Sequence, residues 1–290
     1  MSRIAIFGSQ GQLGHDVAAA LGAGVERLDR PEVDVCDEGM VAAKIHAARP
    51  DVIINCAAMT DVDLCEAEPG RAYRVNAAGA LHIARTAAEV NAYLIHISTD
   101  YVFGADASRQ TPYVESDPTG PVNAYGQSKC GGERFVQSLC PRHCVIRTAG
   151  LYGAAGPRGK NGNFVDRVLA RAMAGESLHV VNDQRTSPTS TRALATLFPA
   201  LLERQPIGIV HLASSDVASW YDVATAILEL RSIEASVAPI ASTDYPGRAP
   251  RPEYSALGSE RLAGIGLPSL PPWRAMLKEY LIATRSRQST

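Results

Sequence analysis

Tyr125 and Lys129 stand four positions apart in "NAYGQSKCGGE", residues 123–133. On a helix that spacing stacks a phenol and an ammonium on one face. A free phenol titrates near about pH 10. A neighbouring ammonium favours the phenolate and lowers that value, so the pair predicts a tyrosine able to pass a proton at working pH. Tyr-x-x-x-Lys is a common pattern and also fits a plain solvated helix face, so the reason for chemistry has to come from elsewhere in the chain. Gly8, Gly11 and Gly14 form G-x-x-G-x-x-G directly after the apolar run "RIAIF" at 3–7. Missing side chains let a pyrophosphate approach the backbone, and a following helix N-terminus offers free N–H groups and a positive dipole end. "STDYVFG" places Ser98, Thr99 and Asp100 at the end of another apolar run, and "NCAAMTD" places the small Ala57 and Ala58 at the end of a third.

These segments need a scaffold that brings them to one rim. Strands are predicted at 3–7, 25–29, 51–57, 93–99 and 143–152. Helices are predicted over "QLGHDVAAALG", from an N-cap at Asp37 to Ala48, over 76–91, through the Tyr125/Lys129 segment, and over "PPWRAMLKEYLI". Alternating strands and helices with continuously apolar strands predict an α/β fold, a doubly wound parallel sheet of Rossmann type. Ligands of such sheets sit at the carboxyl ends of the strands. Asp29, at the end of the second strand, is placed to accept from an adenosine ribose, and Arg30 beside it to hold a 2′-phosphate. Both NADH and NADPH therefore stay open, as does an ordinary turn at 29–30. After residue 150, proline and glycine cluster at 153–162 and in "DYPGRAPRP" (244–252). This predicts a smaller, loop-rich C-terminal lobe. The expected division is 1–177 with about 189–213 for the dinucleotide, and about 178–188 with 214–290 for the substrate.

The chain has 290 residues, 46% of them hydrophobic, and a net charge of −2. That allows a large core and gives no global field that would favour nucleic acid or an anionic membrane. No apolar run reaches the 18 or so residues a membrane span needs, and a cytoplasmic location is expected. The six cysteines, at 36, 56, 65, 130, 140 and 144, show no paired CxxC spacing. They read as reduced thiols rather than a metal site. His15, His96 and His211 read as core histidines, and Trp220 and Trp273 as packing.

The segments "FGSQGQLG", "NCAAMTDVDLCEAEP", "STDYVFG", "YGQSKCGGE", "NDQRTSPT" and "RPEYSALGSERL" run from residue 7 to residue 262. Together they resemble the extended short-chain dehydrogenase/reductase family, and "NDQ…SPT" is particular to its rhamnose branch. The resemblance implies reduction of the 4-keto group of a dTDP-linked 6-deoxyhexulose, with hydride from NADPH or NADH. It implies that Gly11, Gln12 and Leu13 touch the pyrophosphate, and that Asp29, Asp34, Val35, Ala57, Ala58 and Thr60 line the adenosine and ribose side. Thr99 and Asp100 would meet the sugar, Tyr125 would donate the proton with Lys129 as partner, and Asn163 and Arg251 would serve the nucleotide end. Three departures stand out. Gly150 occupies a position where the family often has a tryptophan that contacts the sugar. Arg192 falls near the position where some members have a glutamate that helps bind a bridging magnesium ion, so no metal is expected. Tyr254 replaces an asparagine. The expected partner is a small nucleotide sugar, and the expected state a monomer or a homodimer. Another sugar-nucleotide reductase or epimerase, or a non-catalytic NADP-binding regulatory subunit, are the alternatives.

Overall fold

In the computed structural model, residues 2–155, 162–244 and 249–285 are described. The first half alternates as expected: β1 (Ile4–Phe7), α1 (Gln12–Leu21), β2 (Val25–Leu28), α2 (Glu38–Ala48) and β3 (Val52–Asn55). Asp37 caps α2 by accepting the Met40 N–H at 2.9 Å, which satisfies one of the helix's orphan donors. Then come α3 (Val62–Ala67), α4 (Pro69–Tyr73), a π-helical segment (Arg74–Ala78) and α5 (Gly79–Glu89). The helix expected from residue 76 therefore begins seven residues earlier. Pro69, which reads as a breaker, stands in the first turn of α4, where its missing N–H costs nothing. β4 (Tyr93–Thr99), α6 (Ala124–Leu139) and β5 (His143–Thr148) complete the reaction-centre half.

The expected strand over 143–152 is in fact two. Gly150 adopts φ +52°, and β6 (Leu151–Tyr152) turns away to pair with β9 (Thr189–Ser190) instead of continuing the sheet. Between them lie α7 (Phe164–Met173), β7 (Leu178–Val181) and β8 (Arg185–Thr186). The chain continues through α8 (Thr191–Ala195), α9 (Phe198–Arg204) and β10 (Gly208–His211). The last elements are β11 (Ala218–Ser219), α10 (Trp220–Arg231), β12 (Val237–Ile240) and α11 (Trp273–Ala283).

The main sheet has the order β10-β5-β4-β3-β1-β2, with every pairing parallel. Alternate strand residues explain why the strands are apolar throughout. Ile6, Ile54, Ile95 and Ile146 pack with Val17 and Phe198 on one face. Phe7, Ile53, Leu94 and Val145 pack with Ile45 and Ile83 on the other. The order reverses direction between β1 and β3, and at this switch point a doubly wound sheet opens a crevice. A separate core joins Val165 and Leu169 of α7 to Val223 and Ile227 of α10 and Leu277 of α11. Beside it β7 and β12 form their own parallel pair.

Candidate active site

The glycine turn follows β1 and meets the end of β3. A Cβ on Gly8 would lie 2.6 Å from the Ala57 nitrogen, and one on Gly14 would lie 2.2 Å from the Gly8 carbonyl oxygen. Only glycine allows this approach. Gly11 stands at the N-cap of α1 without a side-chain cap, and the first turn carries no acidic residue. The cradle thus fits the anionic pyrophosphate of a dinucleotide on both steric and electrostatic grounds. The buried Gln12 Oε1, on the same turn, has no hydrogen-bond partner.

A cavity of about 1040 Å³ opens here. Gly11, Gln12, Leu13, Gly14, Ala58 and Thr60 line it on one side. Thr99, Asp100, Tyr125 and Lys129 line it at the ends of β4 and α6, and Asn163 and Arg251 line it farther along. Gly8, Asp29, Arg30, Asp34, Val35 and Ala57 do not form its wall. Asp29 is buried and accepts from the Ser9 hydroxyl and from the Gln10 N–H at 3.2 Å, so its carboxylate braces the glycine turn. Asp34 accepts the Cys36 N–H at 2.9 Å, and Val35 packs against Gly79. Arg30 is exposed.

α6 is drawn tightly against its neighbours. A Cβ on Gly126 would stand 2.1 Å from the Tyr101 carbonyl oxygen, and one on Gly132 would stand 2.4 Å from that of Asn76. These glycines, which weaken a helix in isolation, let its backbone approach the rim. Asn123 caps the helix by accepting the Gly126 N–H at 2.8 Å, and Glu66 accepts the Ala124 N–H at 2.9 Å. From the π-helical segment, Asn76 Nδ2 donates to Ser128 Oγ at 2.9 Å and to the Met59 carbonyl at 3.0 Å. The helix is thereby tied to the β3 loop.

The Tyr125 phenol lines the cavity together with Thr99, and its ring meets Tyr101 edge-on at 5.8 Å. Burial pushes the phenol above its ordinary value, while the neighbouring Thr99 hydroxyl pulls the other way. This corrects the expectation of a phenol lowered by Lys129. The Lys129 ammonium instead donates to the Ile97 carbonyl at 2.6 Å, and burial lowers it to about 8, with the Glu133 and Cys56 charges opposing that shift. A phenol that stays protonated is suited to donating a proton. The Asp100 carboxyl is a buried hub rather than a free contact. It accepts from Thr99 at 3.0 Å, Thr186 at 3.1 Å and Ser255 at 2.5 Å, and burial still pushes it up to about 6. The last two donors come from "NDQRTSPT" and "RPEYS", which are thereby drawn together at the rim.

Asn163 lines the cavity, but its side chain is already engaged. Oδ1 accepts the Asp166 N–H, and Nδ2 donates to the Gly153 carbonyl and the Tyr280 hydroxyl. It is a cap for α7. Arg251 is paired with Asp63 through two contacts, at 3.0 and 2.9 Å. Tyr254 packs against the Val102 and Phe103 cluster, not in the cavity. Sequence reasoning missed Arg167 and Phe164 on the lobe side, and read Trp220 as packing although it lines the cavity. The only signal for them was their position after the "NGNF" turn and in the apolar helical run at 220–228.

Residues 2–286 match the family described as "RmlD substrate binding domain". The chain belongs to that family. Among relatives, the dTDP-4-dehydrorhamnose reductase of Mycolicibacterium smegmatis is 42% identical over 97% of this chain and 85% of its own. The Escherichia coli enzyme of the same description is 36% identical over 96% of each chain. The dTDP-4-dehydrorhamnose reductase of Bacillus anthracis, solved in complex with NADP, shares the fold with a TM-score of 0.92. It is 32% identical and covers 98% of this chain and 99% of that one. Membership in the RmlD family makes this chain a Rossmann-type oxidoreductase that works with a nicotinamide dinucleotide.

Proposed function

We propose that this chain reduces the 4-keto group of dTDP-4-dehydrorhamnose to give dTDP-L-rhamnose. The observation that carries the reading is the meeting of Thr99, Tyr125 and Lys129 in one cavity with the uncapped glycine turn. A bound NADPH or NADH supplies hydride to the carbonyl carbon. The Gly11–Gly14 backbone would hold the pyrophosphate, with Ala58 and Thr60 alongside. Asp29, Arg30, Asp34, Val35 and Ala57 would shape the adenosine side from behind the turn, and Arg30, exposed beside it, would meet a 2′-phosphate. Lys129 would hold the nicotinamide ribose with its ammonium. Thr99 orients the phenol, and Tyr125 transfers its proton to the carbonyl oxygen, so that the ketone becomes the alcohol. Raised basicity of the phenolate that remains makes Tyr125 a ready acceptor for the next proton. Asp100 acts by fixing Thr99, and Arg251 faces the diphosphate end.

The substrate lobe in this reading centres on α7, α10 and α11, which share one core. It therefore starts nearer residue 152 than 178, while β10 returns to the main sheet. The functional unit in this reading is a monomer or a homodimer. No helix among the described residues is long and apolar enough to cross a membrane. The six cysteines are reduced, which suits a reducing, cytoplasmic setting. The test is NADPH absorbance on addition of dTDP-4-dehydrorhamnose. Oxidation of one NADPH per sugar is expected; cofactor binding without oxidation would defeat the reading.

A further inference from the structure

Thr99 and Thr148 are register partners at the ends of β4 and β5. Two residues beyond Thr148 the chain reaches Gly150, which lines the cavity with a left-handed backbone. A Cβ there would lie 3.1 Å from the Pro188 Cα and 3.4 Å from Trp220 Cη2. The outer edge of the indole thus covers the space a side chain at 150 would take, in the cavity that Thr99 and Tyr125 also line. Trp220 comes from the other side of the cleft. It is the first residue of α10, and its backbone is fixed by a capping box: Ser219 Oγ accepts the Asp222 N–H at 3.0 Å, and Asp222 Oδ2 accepts the Ser219 N–H at 2.9 Å. Phe164 backs the ring at a centroid distance of 4.7 Å. Trp273 is 9% exposed in the lobe core, whereas Trp220 stays half-buried and lines the cavity. Its packing is unfinished within the chain. The Thr148 hydroxyl, 3% exposed and without a hydrogen-bond partner, belongs to a residue that lines the same cavity.

A flat apolar wall and a hydroxyl lacking a partner on one cavity have the chemistry of a pyranose subsite. The wall takes the C–H face of the ring, and the hydroxyl takes one of its oxygens. We propose that Trp220 is a specificity-determining residue that holds the hexose ring of the substrate, with Gly150 leaving it the room to do so. This deepens the proposed function and rests on it. Reduction at one carbon of a ring needs the ring held with one face toward the hydride donor, and a rigid aromatic wall supplies that orientation.

The experiment compares wild type, Trp220→Ala, Trp220→Leu and Trp220→Phe, each first shown to bind NADPH as the wild type does. Affinities for dTDP-L-rhamnose and for dTDP alone are measured by calorimetry, and KM and kcat with dTDP-4-dehydrorhamnose by NADPH oxidation. Trp220→Ala and Trp220→Leu are expected to lose about tenfold in affinity for dTDP-L-rhamnose, with a matching rise in KM, and to bind dTDP unchanged. Trp220→Phe is expected to recover most of the loss. Equal weakening of dTDP and dTDP-L-rhamnose, or no weakening in either the Ala or the Leu variant, overturns the assignment while leaving the proposed reaction standing. A wild-type protein that binds NADPH but does not oxidise it with this substrate overturns the proposed function and the assignment together.

Discussion

On the sheet side of the cleft, Thr99, Asp100 and Lys129 are buried and hydrogen-bonded within the chain; on the lobe side, Phe164 and Trp220 are half-buried and Arg167 is exposed. Behind the first wall runs a buried polar chain. Glu133 accepts from Ser98 and from Arg147 at 2.9 and 2.7 Å, with the two ends of the Glu133–Arg147 pair each 3% exposed. On the lobe side, the pair Arg171–Glu176 is about half exposed at both ends. The difference teaches where precision is built in. Proton transfer needs atoms fixed within hydrogen-bond reach, so its supports are buried and saturated. Recognition of a large, polar ligand needs surface that the ligand itself completes.

The comparison breaks first at Tyr125. Tyr125→Phe is expected to lower kcat by ~10²–10⁴-fold, with NADPH affinity nearly intact by fluorescence titration; wild-type turnover would remove the phenol from the chemistry. Next comes the buried pair. Glu133→Ala leaves Arg147 unpaired and is expected to cost about 3–5 kcal/mol in urea unfolding, against about 0–1 kcal/mol for Arg171→Ala. Similar losses for both would erase the distinction between the walls. A smaller effect is expected with pH. Burial lowers Lys129 to about 8, so its ammonium is present below that pH and lost above it. Affinity for NADPH should therefore fall as pH rises through this region, by up to about tenfold per unit for a single proton. Lys129→Met, weaker throughout, should show no such step; a step that persists in this variant belongs to another group. The smallest effect is expected at the exposed Arg30. Arg30→Ala should weaken NADPH by up to about fivefold, as loss of an exposed ion pair with the 2′-phosphate would, and NADH hardly at all. Equal losses would mean that Arg30 does not read the phosphate.

Much of the sheet side was legible because its signals are local. Apolar runs, the glycine spacing and the Asp37 cap each act over a few residues, and the strands through Thr99 and the start of α2 fall where they predict. The break at Gly150 was not legible, because a glycine inside "HCVIRTAGLY" gives no sign that the next two residues pair with Thr189 and Ser190. Asp100 and Asn163 show a second limit. Their residue types suit a sugar or a nucleotide, yet the structure gives their polar atoms to Thr186, Ser255, Asp166 and Tyr280. Residue type names what an atom can do, and only the fold says whether it is already engaged. Trp220 is the converse case: an apolar residue at the start of an apolar helix, brought to the cavity by a lobe whose placement no local pattern encodes.

The most direct measurement is a crystal structure with NADPH and dTDP-L-rhamnose bound together. The account predicts Tyr125 Oη within hydrogen-bond reach, about 3 Å, of the O4 hydroxyl of the rhamnose. A phenol turned away from O4, or a sugar seated beyond reach of Thr99, would contradict it.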